Sequence, residues 1–211
     1  MKARILVWLV ALFCCHNVLF AQKEFVNASA RLSGHPRILL QKGEEKALKK
    51  VIMKDAVWKD IHQSLVDEAG EIVKLPLNER IKTGRRLLSV SRENLRRIFI
   101  LSYAYRMTGK NEFLKRAESE MLKAASFSDW NPSHFLDVGE MTMALAIGYD
   151  WLYPQLSVQT KKEIENAIVE KGLKPSFDER YNWFVNAVHN WSQVCHAGVT
   201  LSLIHISEPT R

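Results

Sequence analysis

The sequence predicts an all-α fold, an incomplete α/α toroid of helical hairpins. Apolar residues recur at three- and four-residue intervals through much of the 211-residue chain. Apolar-rich segments alternate with charged amphipathic ones across short breaks, and no convincing run of alternating strand interrupts them. This is the pattern of inner helices paired with outer helices, each hairpin burying its apolar face on the next. A TPR-like array is the rival, but it needs a fixed repeat of roughly 34 residues, and the spacing here is looser and longer.

His35-Pro36-Arg37-Ile38-Leu39-Leu40 reads as an extended lead-in, because a residue before proline is pushed away from helix. Glu44 to Met53 and Val57 to Val73 are helical by spacing, with Trp58, Ile61, Leu65, Ala69 and Ile72 as an apolar stripe. A loop with Pro76 and Gly84 follows. Ser91 then reads as an N-cap, and Leu95, Ile98, Phe99, Ser102 and Tyr103 build a face that stops at Thr108-Gly109. Phe113, Ala117, Met121 and Ala124 complete a hairpin over Arg92 to Ala125. Beyond Trp130-Asn131-Pro132, Phe135 to Leu152 is apolar on nearly all sides. Gln159 to Lys171 is its amphipathic partner, ending at Gly172. Asn182 to Thr200 is predicted to be the next inner helix.

The chain ends carry their own expectations. Lys2 and Arg4 precede an apolar run from Ile5 to Cys15 and then Val18-Leu19-Phe20-Ala21, the layout of a secretory signal peptide cleaved after Ala21. His16-Asn17 breaks the run before the roughly 20 apolar residues of a membrane span, so no membrane insertion is expected after cleavage. Leu201 to Arg211 is identical to the translation of a transposase adapter used in sequencing libraries. Residues 22–200 are therefore expected to be a partial toroid domain and 201–211 a non-native tail. Such a chain is expected to be inactive and marginally folded, exposing the apolar side of its last inner helix.

The formal charge is +7, and the basic excess survives removal of Lys2, Arg4 and Arg211. A basic secreted protein suits a polyanionic partner such as acidic polysaccharide, nucleic acid or membrane lipid. Arg85-Arg86 and Arg96-Arg97 are short pairs, not a basic block interleaved with aromatics, which disfavours nucleic acid. Only Cys195 remains after signal removal, so no internal disulfide is expected, and it reads as a small core residue before it reads as a nucleophile.

The densest chemistry lies in Asn182 to His196, where amides, imidazoles and indoles crowd together. Asn190, Gln193, Ala197 and Thr200 share one helical face, setting neutral donors near Trp183 and Trp191. Amides can hydrogen-bond a carboxylate, and flat rings pack on pyranoses. A buried helix with satisfied polar groups is the alternative. A zinc site from His189, Cys195 and His196 lacks a fourth ligand, and no cofactor is expected.

Four pieces together resemble the heparinase II/III family of polysaccharide lyases. They are His35-Pro-Arg-Ile-Leu-Leu40, Tyr105-Arg-Met-Thr-Gly-Lys110, Asp137-Val-Gly-Glu140 with Gly148-Tyr-Asp-Trp-Leu-Tyr153, and Asn190-Trp-Ser-Gln-Val-Cys195. The resemblance covers the N-terminal part of that family's helical domain. It implies a secreted, periplasmic bacterial enzyme that cleaves uronate-containing polysaccharide by β-elimination. Removing the C5 proton builds a second negative charge beside the carboxylate, so neutral donors must stabilise it. A base takes that proton and an acid protonates the leaving oxygen.

By resemblance, Asn190 and Gln193 are the catalytic carboxylate-contacting residues. His189, Trp191, His196 and His134 are substrate-binding, each histidine also readable as structural. Other members carry His and Glu at the first two positions, which speaks against heparin specificity. The Tyr and His of proton transfer are expected beyond Thr200. Asp137 and Glu140 read as rim or packing groups, and Tyr149, Asp150, Trp151 and Tyr153 as hairpin-packing residues. A toroid glycoside hydrolase of the unsaturated-glucuronyl type, using Asp137 or Glu140, and a noncatalytic glycan-binding module are the alternatives.

Overall fold

The computed structural model describes residues 34–206. The predicted signal peptide and residues 207–211 of the predicted tail lie outside the described residues. Within them the chain is all-helical. Its nearest approach to extended pairing is one isolated bridge between Thr83 and Arg86.

Helix α1 is Glu45–Lys54 and α2 is Ala56–Lys74. Between them Asp55 adopts extended backbone, and its carboxylate accepts the Val57 and Trp58 N–H groups at 2.9 and 3.2 Å, capping α2. Only the C-terminal part of the predicted α2 stripe is buried, at Ala69 and Ile72. Trp58 and Ile61 remain exposed. Helices α3, Leu88–Thr108, and α4, Asn111–Ala125, form the predicted hairpin, turned at Gly109 with φ 73°. Ser91 is not the cap of α3: it is buried inside the first turn, and the helix starts three residues earlier.

Helix α5, Phe135–Leu152, follows a 3-10 turn over Pro132–His134 and is buried at every residue except Met143. That explains its lack of a polar face. Ser157 caps α6, Val158–Ala167, by accepting the Thr160 N–H. The helix does not stop at Gly172. It continues through a π-helical segment, Ile168–Leu173, into a last α turn, Lys174–Ser176. Gly172 serves close packing instead, since a Cβ there would lie 2.6 Å from Thr142 Oγ1.

Asn182 to Thr200 is not one helix either. Asn182–Asn186 is 3-10, Ala187 is extended, and α7 runs Asn190–Ile206, taking in the first six residues of the predicted tail.

Helix α5 packs most extensively between α3 and α7, with α4 against α3 and α6 against α4. Ile98 and Leu101 of α3, Met121 of α4, Met141 and Leu145 of α5, and the loop residue Trp130 fill the shared core.

The lead-in is held by a buried carboxylate at the end of α5. Asp150 accepts from the Arg37 N–H at 3.0 Å to each oxygen, from the Ile38 N–H at 3.0 Å and from His35 Nδ1 at 2.6 Å. Arginine can only donate, so Arg37 Nη2, 2.5 Å from His35 Nε2, leaves Nδ1 as the donor to Asp150. Tyr153 stacks on His35 with centroids 4.0 Å apart, and Trp151 Nε1 donates to Ile38 O. Two of the sequence pieces therefore meet as a structural clamp, and the packing role expected of Tyr149, Asp150, Trp151 and Tyr153 agrees with their contacts.

Candidate functional site

The approach of α5 to α7 fixes where the predicted site lies. A Cβ on Gly198 would fall 2.1 Å from Gly139 O, and one on Gly139 would fall 3.1 Å from Cys195 Cα, so the two backbones touch. This crossing sets the first turn of α7 beside the start of α5. Trp191 packs edge-to-face on His134 with centroids 4.8 Å apart.

The break before α7 folds the chain back so that Trp183 reaches Trp191, at 5.1 Å, despite belonging to a different element. His189 lies 6.1 Å from Trp183 and 6.0 Å from Trp191. The result is an aromatic and imidazole patch in which Trp183 and His189 are exposed and Trp191 is half-buried. No Gly or Pro marks that break. The recurrence of Asn182, Asn186 and Asn190, residues suited to turns and caps, is the signal that could have revealed it.

Asn190 is the first residue of α7 and Gln193 lies one turn on. Both are exposed, together with Ala197 and Thr200, so the predicted face survives within α7. It points away from α5, opposite buried Cys195, Gly198 and Ser202. His196 is exposed on the flank, where its Nδ1–H donates to Ser192 O at 2.7 Å and its ring meets Phe184 edge-on. Along α7 the exposed face carries Asn190, Gln193 and Thr200 with apolar Leu203 also exposed, and Phe177 and Val188 of the connecting segment are exposed too.

His134 lies on the inner side, 4% exposed. Its Nδ1 is 2.7 Å from Asp137 Oδ1, and its buried Nε2 has no hydrogen-bond partner among the described residues. Asp137 is itself fixed. Its Oδ2 accepts the Leu87 N–H and the Asn131 side-chain amide, each at 2.6 Å. Asn131, at φ 61°, also donates to Arg85 O at 2.8 Å, joining the loop before α3 to the start of α5. An imidazole held at one nitrogen by an anchored carboxylate has a fixed ring orientation. The i, i+3 spacing of His134 and Asp137 was the available sequence signal. The donors that anchor Asp137 come from distant segments and leave no local mark.

Glu140 lies one turn beyond Asp137, mostly buried, with Arg92 Nε 3.1 and 3.2 Å from its two oxygens. Burial pushes its carboxyl above the usual range, Arg92 opposes this and nearby Asp137 adds to it. Burial also pushes the Cys195 thiol up to about 12, with the Glu140 carboxylate adding to the shift. A thiol so placed is a core group and a poor nucleophile.

Among the described residues no three His, Cys, Asp or Glu side chains gather as a metal site, and no helix is long and apolar enough to cross a membrane. An apolar hollow of about 480 Å³ beside Leu95, Phe99, Met143 and Ile147 and a smaller one beside Trp151 contain none of the predicted site residues. Compared with protein-family models and with curated proteins, the chain matches none.

Proposed function

We propose that this helical region serves a secreted, periplasmic polysaccharide lyase that cleaves uronate-bearing chains by β-elimination, its hairpins forming an arc of an α/α toroid. The carrying observation is the gathering of Trp183, His189 and Trp191 around the first turn of α7, where Asn190 stands exposed. The rings offer flat faces for a pyranose. The Asn190 amide and the free N–H groups of a helix start offer neutral donors to a carboxylate. Those donors favour the reaction because they strengthen as charge develops on the enolate-like carboxylate. Gln193, on the same exposed face, is the second carboxylate contact.

The row of α3, α5 and α7 backed by α4 and α6 supports the arc. The hydrolase reading is weakened by the commitments of its carboxylates: Asp137 is held by Leu87, Asn131 and His134, and Glu140 by Arg92. Neither is placed as a free general acid facing a second carboxylate.

The intact gene product, incubated with alginate, heparan, chondroitin and polygalacturonate, should generate unsaturated uronates read as rising near-ultraviolet absorbance, and Asn190→Ala should abolish the rise. Reducing sugar released without that absorbance, or no product on any of the four, overturns the reading.

A further inference from the structure

Resting on the lyase reading, we propose that Lys82, Arg85 and Arg86 form a cationic subsite that binds carboxylates of the acidic polysaccharide flanking the cleavage point. The first observation is an imbalance of charge. Most arginines of the described residues are paired with acids: Arg80 with Asp129, Arg92 with Glu140, Arg96 and Arg97 with Glu93, Arg106 with Glu45, Arg116 with Glu120 and Arg180 with Asp178. Lys82, Arg85 and Arg86 are exposed, and no carboxylate among the described residues lies within ion-pair distance of them. Acids on the segments joined to this turn pair elsewhere: Glu79 with Lys123, Asp129 with Arg80 and Glu140 with Arg92. Three exposed cations within five residues thus lack an ion-pair partner among the described residues.

The second observation is that the backbone beneath them is fixed. Thr83 and Arg86 exchange backbone hydrogen bonds at 2.9 and 3.2 Å, closing the turn that carries Arg85. Leu87, fully buried, anchors the turn in the core, and its N–H donates to Asp137. The Asn131 amide holds Arg85 O, and Lys82 Nζ reaches Asn131 Oδ1 at 3.4 Å. A loop already ordered loses less entropy when it captures a ligand than three lysines on a mobile surface would.

The third is position. The same Asn131 and Asp137 that hold the turn also orient His134, which packs on Trp191. The turn that carries the cations is therefore joined, through Asn131, Asp137 and His134, to Trp191 of the aromatic patch. Guanidinium groups bind carboxylates through paired N–H donors, and a uronate polymer presents such groups repeatedly along its length, so one chain can meet both surfaces.

The test is binding, which does not depend on turnover. Affinity of the full chain for polygalacturonate, heparan sulfate, a neutral glucan and single-stranded DNA is measured over a salt series, for the protein, for R85A/R86A and for the control K49A/K50A on the exposed side of α1. The expected result is a tenfold or greater loss on polygalacturonate for R85A/R86A, with a shallower salt dependence, little change for the control and weak binding to the glucan throughout. Equal loss in both variants, or no loss in either, overturns the subsite. Tighter binding of heparan sulfate or DNA than of polygalacturonate overturns the carboxylate assignment. If the binding result holds while no unsaturated product forms, the subsite stands and the lyase reading fails.

Discussion

Replacing Asp150 by asparagine tests whether the clamp on residues 35–38 is a structural element. Donor groups converge on this fully buried carboxylate, among them the Arg37 N–H, the Ile38 N–H and His35 Nδ1. An asparagine keeps the shape but puts an NH₂ where one oxygen accepted, so at least one buried donor faces another donor. Leaving a buried polar group unsatisfied costs about 1–3 kcal/mol. The remaining hydrogen bonds also lose the carboxylate's charge, and charge-assisted bonds are roughly twice as strong as neutral ones. Together these give a destabilisation of about 3 kcal/mol. With a urea slope of about 2 kcal/mol/M, the unfolding midpoint should fall by about 1.5 M, at an unchanged slope. Tryptophan fluorescence in a urea titration reads it, and amide exchange at Arg37 and Ile38 should accelerate. Polysaccharide binding by the folded variant should be unaffected. A midpoint within about 0.3 M of the parent would refute the claim that these hydrogen bonds hold the segment.

Gly198→Ala should be more disruptive than its size suggests, because the added methyl would lie 2.1 Å from Gly139 O and α7 would have to move off α5. Overpacking of this kind costs about 1–3 kcal/mol or more. A thermal melt unchanged by G198A would show that the helices cross less closely. The Cys195 thiol, pushed up to about 12 by burial and then by the Glu140 carboxylate, should resist a thiol reagent at neutral pH in the native chain and react on unfolding. The unfolded thiol releases its proton near its ordinary value of 9.0, whereas the fold retains it, so stability should fall as pH rises from about 9 towards 12. Rapid native labelling at pH 7 would contradict that burial.

Legibility followed the range of the interactions. The α3–α4 hairpin and its stop at Gly109 are local matters of period and left-handed backbone, and both are written in consecutive residues. Helix α5 is likewise announced by apolar residues on nearly all its sides. Ser91 looked like a cap because its residue type suits one, but the chain before α3 is secured by Asp137 from another helix, which no local pattern records. Gly172 looked like a stop because glycine often is one, yet its missing Cβ makes room for Thr142 and Trp130. The candidate site divided in the same way. The exposed face of Asn190 and Gln193 obeys helical periodicity, whereas the meeting of Trp183, Trp191 and His134 depends on a break in the chain and on two helices in backbone contact.

The two buried aspartates of α5 occupy opposite ends of one rigid shaft. Asp137 and Asp150 are thirteen residues apart, which at 1.5 Å per residue is about 20 Å. One fastens the loop that carries the uncompensated arginines, and the other fastens the lead-in segment. Changes at positions so far apart add nearly independently. The Asp137 end of this helix can therefore be altered, by descent or by design, while the Asp150 end goes on holding the lead-in segment in place.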